Sequence, residues 1–320
     1  MTILVTGLGL VGANVSRKFI DEGYRVVCYS RTEREIDFLK EKSDKYRFLK
    51  GDISNKEQLM DTANRYDVQG IIHTVIYPTS DESLKMFKIN VEGSLNVLEV
   101  ARAKKIKTVN ISTGAVYGHR PDLGPLKEDE PLPPVTRSGS PATILYTFTK
   151  RMGENLATMY NLAYDVDVVT VRASYVYGPA DHAPRHLARG IAFILGKALR
   201  NEPIEMSRGG DEKNDYTYVK DLANGIYLAF TAEDTRHRLF NIGSGRLSTM
   251  SEIAQIVKKI VPGVTIEFGP GVWPEMGSAF LRGPFDLSRA HEELGYTPRY
   301  SLEEGIEEYA KWLRKNPSWL

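Results

Sequence analysis

Residues Thr6–Gly12 read TGLGLVG, three glycines in seven positions, directly after the apolar run Ile3–Val5 and directly before a helical pattern. No other feature constrains the fold as tightly. In this G-x-G-x-x-G spacing, Gly7 permits the tight turn that leaves a first strand. Gly9 lets the backbone approach a pyrophosphate, and Gly12 lets the following helix pack against the strand. The amides of Leu10 and Val11, at the helix start, would then face an anion together with the positive end of the helix dipole. The spacing alone is weak, and a glycine turn without a ligand would look the same. Its position between a strand and a helix is what points to a dinucleotide.

The rest of the first half repeats the unit. Short continuous apolar runs predict strands at Ile3–Gly7, Arg25–Ser30, Tyr46–Asp52, Gly70–Val75, Lys107–Thr113 and Asp167–Ser174. Helical patterns lie between them at Leu10–Glu22, Lys56–Arg65, Asp81–Lys105 and Leu145–Met159. Runs apolar on both faces are those of parallel strands covered on both sides, so the expectation is an α/β chain with a doubly wound parallel sheet. The segment His119–Ala142 carries six prolines and is expected to be an irregular surface loop. Beyond Ser174, helices at Pro184–Leu199, Thr249–Ile260, Leu287–Leu294 and Leu302–Leu313 alternate with Gly/Pro-rich links. The reading is a dinucleotide-binding domain over 1–174, with return elements in 214–246. A smaller mixed substrate lobe would use 175–213 and 247–320.

Composition narrows the class. Of 320 residues, 42% are hydrophobic and 26% charged, and 42 Lys and Arg against 41 Asp and Glu leave a net charge of +1. That balance offers no general surface to nucleic acid or membrane. A single cysteine, Cys28, precludes an internal disulfide and fits a reducing compartment. No apolar stretch approaches the ~20 residues of a membrane span, and no basic-then-apolar leader precedes the first strand, so a cytoplasmic protein is expected. His182 and His186 sit four apart in DHAPRHLARG, but no carboxylate or cysteine completes a metal-ligand set at diagnostic spacing, and no metal is expected.

At the end of the second strand an acidic residue would hold the ribose hydroxyls of NAD. Here Ser30 stands there, followed by Arg31 and, a turn later, Arg34. A hydroxyl beside a guanidinium suits a 2′-phosphate, which leans the cofactor toward NADP over NAD, although a solvated loop charge would read the same way. Asp52, ending the third strand in KGD before Ile53, is positioned to accept from the adenine amino group. His73, in IIHTVIY, is expected to cap the fourth strand structurally beside the cofactor.

Tyr146 and Lys150 lie four residues apart on a helical pattern and therefore on one face. A neighbouring ammonium favours phenolate and draws a tyrosine down from its usual pKa of ~10 toward an acid–base role. The same spacing recurs as Tyr46/Lys50, in a predicted strand where four residues span roughly 13 Å, and as Tyr216/Lys220, with no clear helix. Only the Tyr146 pair follows a strand that ends in hydroxyl residues, Ser112, which is expected near the cofactor, and Thr113.

With TGLGLVG, KGDIS, INVEGSLNVLEVA, ISTGAVYG, YTFTKRMGE, RASYVYGP, DYTYVKDLANGI and FNIGSG in order along almost its whole length, the chain resembles the extended short-chain dehydrogenases/reductases of the NAD-dependent epimerase/dehydratase family. The resemblance implies a Rossmann-like fold with Tyr146 as acid–base, Lys150 on the nicotinamide ribose and Thr113 on the substrate oxygen. It also implies Asn90 close to the cofactor, and a homodimer formed through helices 81–105 and 145–159.

Family dehydratases carry Asp-Glu after that threonine, and related decarboxylases a Glu at the second position. This chain has Gly114 and Ala115, which disfavours both reactions. Family synthases use a nearby cysteine, and Cys28 is in the wrong strand. Hydride transfer at a secondary alcohol or ketone of a sugar-like substrate is the leading expectation, and 4-epimerisation of a nucleotide sugar with retained NAD is the alternative. A non-catalytic NADP-binding sensor is the reading from another class, and the intact Thr113, Tyr146 and Lys150 argue against it. The family's substrate clamps are altered. Tyr175 stands for an Asn, and Asn214, in NDY with Tyr216, stands for an Arg. A late Arg position falls at Met276, with Arg282 nearby, and Arg185 at i,i+4 from Arg189 offers another anion contact. The substrate expected is small and anionic or sugar-like in its chemistry.

Overall fold

The computed structural model describes the chain apart from residues 42–43, 78–81, 121–123, 135–140, 182–189 and 273–281, and the side chains of 141–142. Strands β1 Thr2–Thr6, β2 Arg25–Ser30, β3 Tyr46–Lys50, β4 Val68–His73, β5 Lys107–Thr113 and β6 Val168–Ala173 are followed by β7 Tyr175–Tyr177, β8 Ile204–Met206, β9 Lys213–Tyr218, β10 Leu239–Ile242, β11 Leu247–Thr249 and β12 Ile266–Phe268. Helices are α1 Leu10–Asp21, α2 Asp37–Lys40, α3 Lys56–Arg65, α4 Ser83–Phe87, α5 Gly93–Lys104, α6 Pro141–Tyr164, α7 Ile191–Leu199, α8 Val219–Thr231, α9 Met250–Ile260, α10 Ser288–Leu294 and α11 Leu302–Lys315.

Seven strands form one sheet in the order β10-β6-β5-β4-β1-β2-β3, and every pair is parallel. Strand alternation explains the continuous apolar runs. Ile3 and Val5 face one side, in a core with Phe19 of α1, Phe230 of α8 and Leu294 of α10. Leu4, between them, faces the other, with Leu59 of α3, Leu98 of α5 and Tyr160 of α6. Phe19 anchors the first face, its ring edge-on to Tyr24, Tyr227 and Phe230 at 5.4 Å each.

A second core gathers α7, α9 and α11 with β8 and β12, which pair parallel to each other. The segment 214–246 divides between the layers. β9 joins β7 and β11 in a small sheet, whereas α8 packs on α1 and β10 completes the edge of the large sheet.

Two expectations change. The helix expected over Asp81–Lys105 is interrupted by a π-helical turn, Lys88–Glu92, between α4 and α5. The wider turn buries Ile89, Asn90 and Val91 together. The described part of the proline-rich segment after His119 is irregular but does not stay on the surface. Leu126 is fully buried and bridges Phe285, its N–H donating to Pro284 O at 2.8 Å, while Glu128 is buried beside it. The backbones of Leu126 and 284–286 satisfy each other, Leu126 O also accepting from Asp286 N at 2.9 Å, which composition alone does not reveal. Among the described residues, no helix is long and apolar enough to cross a membrane.

Candidate active site

The glycine turn closes as its spacing requires. Gly7 takes φ +91°, its N–H donating to Tyr29 O at 2.8 Å, and a β-carbon at Gly12 would overlap the Gly7 carbonyl. At Gly9 a β-carbon would meet nothing within 4 Å, and no side chain caps α1. The first-turn amides, including those of Leu10 and Val11, therefore border open space, as a pyrophosphate needs.

A cavity of about 200 Å³ continues from Gly7 and Gly9 past Ser30, Arg31 and Ile53. The residues present fit the adenosine half of a dinucleotide. Asp52 is fixed at this end, its Oδ1 accepting from Ser54 N at 2.9 Å and Ser54 Oγ at 2.8 Å. Burial opposes its ionisation, but those bonds and the charges of Arg31 and Lys88 hold the carboxyl below the usual range. Any adenine contact would thus fall to Oδ2.

His73, ending β4, is fully committed to structure. Its Nδ1 is 2.8 Å from Thr6 Oγ1 and its Nε2 3.2 Å from Ser94 Oγ, and burial pushes its pKa down to about 3. Ser94 in turn donates to Asn90 O. Asn90, on the π turn, accepts from Tyr77 N at 2.6 Å and donates to Thr149 Oγ1 at 3.1 Å, tying the turn to α6.

The catalytic candidates converge at the end of β5. The Thr113 hydroxyl faces that of Tyr146 and favours its ionisation, and Thr113 Oγ1 accepts from Ala115 N at 3.2 Å. Lys150, one turn along α6, donates to Ile111 O at 2.8 Å. The electrostatics differ from the expectation of a lysine-lowered phenol. Burial holds the Tyr146 hydroxyl above its ordinary pKa, and the groups opposing it are Thr113 and the guanidinium of Arg282. Lys150 itself is pushed down to about 8 by burial, against the pull of Glu154. The structure thus brings Thr113, Tyr146 and Lys150 together and adds Arg282 as the cation acting on the phenol.

Ser112, expected near the cofactor, has its hydroxyl elsewhere: it donates to Glu154 Oε1 at 2.5 Å. Glu154 also takes a bidentate pair from Arg172, at 2.9 and 2.8 Å. Arg172 lies over the Tyr117 ring at 4.8 Å, and Tyr117 donates to Asn241 Oδ1. This buried polar layer beneath the site escaped sequence reading. One signal was available, since Glu154 follows Lys150 by four residues on the same helix.

On the substrate side, β7 and β9 pair Tyr175 with Tyr216, their rings edge-on at 5.1 Å, and Asn214 Nδ2 donates to Tyr216 OH at 3.4 Å. Tyr175 also lines a cleft of about 750 Å³ that reaches Arg34 and Trp319. Arg282 stands apart from these, against Gly114 O at 3.2 Å. Asp215 was also overlooked; it accepts from Ser174, Thr217, Ser244, Gly245 and Phe285. Arg185, with His182, His186, Arg189 and Met276, lies outside the described residues. Among the described residues no cluster of His, Cys, Asp and Glu could hold a metal ion.

A family model described as the NAD dependent epimerase/dehydratase family matches residues 3–243. A UDP-glucose 4-epimerase of Mycolicibacterium smegmatis is 28% identical over 326 residues, covering 98% of this chain and 99% of that protein. Among solved structures, a UDP-glucose 4-epimerase of Thermotoga maritima with UDP-glucose superposes with a TM-score of 0.85 at 27% identity, over 99% of this chain and 100% of that one. A dTDP-glucose 4,6-dehydratase of Bacillus anthracis in complex with NAD gives 0.82 at 26%, over 100% and 98%.

Proposed function

The chain belongs to the NAD-dependent epimerase/dehydratase family, and on that footing we propose that it is an NAD-dependent 4-epimerase of a nucleotide sugar. One observation carries this reading. The Tyr146–Thr113 hydroxyl pair closes the end of β5, and the next two residues, Gly114 and Ala115, have no titratable side chain. The site has a group to take a proton from a sugar hydroxyl and none at those positions to expel water from the neighbouring carbons. Tyr146 takes the proton of the 4-hydroxyl while Thr113 orients its oxygen, and Tyr146 returns the proton when the alcohol is re-formed. The glycine turn and Lys150 would hold NAD, which would supply reversible hydride acceptance at C4 with no net redox change. Lys150 is positioned to bind the ribose of the cofactor.

NAD is preferred here to NADP. The neighbour from Bacillus anthracis was solved with NAD, and Arg31, the residue that leaned the reading toward NADP, is exposed with its charge acting on Asp52. Leu84, Phe87, Leu95, Phe148, Met159 and Leu162, all exposed on α4, α5 and α6, support a homodimer paired through these helices.

The test is to incubate the purified protein with UDP-glucose and with UDP-glucuronate in parallel and to resolve the products, the 4-epimer of either supporting the reading. The expected result is the 4-epimer without net change in nicotinamide absorbance, with kcat falling by about 10²-fold or more in Tyr146→Phe. Stoichiometric NAD(P)H, a 4-keto-6-deoxy product, or an undiminished Tyr146→Phe variant would overturn the assignment.

A further inference from the structure

The segment Arg282–Phe285 enters the active site as a unit. Phe285 lies against the α-carbon of Gly114, where a β-carbon would stand 2.8 Å from the ring. Its N–H donates to Asp215 Oδ2 at 3.1 Å, and its backbone is bridged to Leu126. Three residues earlier, Arg282 Nη1 donates to Gly114 O at 3.2 Å. Gly114 adjoins Thr113, whose hydroxyl faces that of Tyr146. A guanidinium is therefore held beside the point where the reacting oxygen must sit.

Among the described residues, the charges around it leave this cation unmatched. Asp215 acts on it electrostatically, but no ion pair joins the two among the described residues. That carboxylate is already saturated. Its Oδ1 accepts from the hydroxyls of Ser174, Thr217 and Ser244 and from Ser244 N, and its Oδ2 from Gly245 N and Phe285 N. Lys150 is turned to Ile111 O, and Glu154 is held by Arg172 and Ser112. A guanidinium has five N–H donors, and Gly114 O takes one of them. A part-buried cation with spare donors gains most from a carboxylate in bidentate contact.

We propose that Arg282 is a specificity-determining residue that reads a carboxylate on the carbon next to the reacting one, making the substrate a nucleotide-linked uronate rather than a neutral hexose. The inference rests on the 4-epimerase reading. With C4 at Tyr146 and Thr113, the neighbour C5 carries the C6 carboxylate, whereas the diphosphate on C1 lies across the ring. The same packing explains why position 114 has no side chain: the ring of Phe285, which helps place the arginine, occupies that space.

The experiment is a binding comparison without turnover. Dissociation constants are measured for UDP-glucuronate, UDP-glucose and UDP on the NAD-loaded wild type, Arg282→Gln and Arg282→Lys. The wild type is expected to bind UDP-glucuronate more tightly than UDP-glucose. Arg282→Gln should reduce that ratio by about 10- to 100-fold, the range of a charge-assisted contact, and Arg282→Lys should keep part of it. A wild-type preference for UDP-glucose overturns the proposal, and so does an equal loss of affinity for all three ligands, which would assign Arg282 to the diphosphate. The wild-type ratio needs no variant to fold. If that ratio holds but no epimer forms, the reaction is wrong and the recognition stands; if epimer forms with the ratio inverted, the reverse is true.

Discussion

Gly114 and Phe285 are in direct contact: a β-carbon on residue 114 would stand 2.8 Å from Phe285 Cζ and 2.9 Å from Cε1. The ring is buried against Tyr117, with centroids 5.8 Å apart, so it has little room to withdraw. Gly114→Ala is expected to cost about 1–3 kcal/mol by overpacking. Phe285→Leu frees space at the ring edge and should recover part of that loss in the double variant. A double-mutant cycle by urea denaturation measures the coupling, and strictly additive losses would contradict the contact.

His73 is neutral in the fold and charged at low pH in the unfolded chain. Its pKa is pushed down to about 3 from 6.5 by burial, so the stability it supports is complete above pH 6.5 and is lost as pH falls toward 3. The slope is about 1.4 kcal/mol per pH unit. His73→Gln keeps polar atoms near Thr6 and Ser94 but does not titrate. Between pH 6.5 and 5, denaturation curves should show wild type losing stability that the variant does not lose.

Lys150 behaves in the opposite range. Burial lowers its pKa from 10.5 to about 8, so the unfolded chain binds the proton more tightly between those values. Its burial penalises the fold fully below pH 8, by at most about 3 kcal/mol and less for a side chain with partial solvent access, and the penalty fades toward pH 10.5. Lys150→Met should inactivate the protein yet raise its Tm at pH 7, with the gain shrinking at pH 10. A Tm gain independent of pH would show that the ammonium is not the source.

Glu154 holds the Arg172 guanidinium through two bonds and takes a third from Ser112. Both charged side chains are buried. Glu154→Gln leaves Arg172 unpaired inside the protein and is expected to cost about 3–5 kcal/mol. It also removes the carboxylate that supports charged Lys150, so Lys150 should titrate lower than in wild type. Chemical denaturation measures the first effect. The second is read by following lysine modification against pH.

Much of this arrangement is visible in the primary structure. β2, β5 and α3 occupy the predicted residues, and the remaining strands of the first half differ at their ends by up to two residues. Thr113, Tyr146 and Lys150 could be paired in advance because helix spacing and a strand end are local facts. The π turn at Lys88–Glu92 could not, because its extra residue is set by what Asn90 reaches: Tyr77 on one side and Thr149 on the other. The role of Ser112 was also out of reach. Its hydroxyl was legible, but its partner Glu154 arrives from another element.

By itself the sequence determined the parallel α/β architecture, the glycine turn and the family, since these depend on side-chain periodicity, on the missing β-carbon of glycine and on motifs contiguous along the chain. Tertiary structure alone decided which cation acts on Tyr146. Lys150, four residues away, turns to a β5 carbonyl, while Arg282 is delivered from the far end of the chain by a segment packed on Gly114. Electrostatic influence follows distance and burial in space, and neither is written in the spacing of residues along a chain.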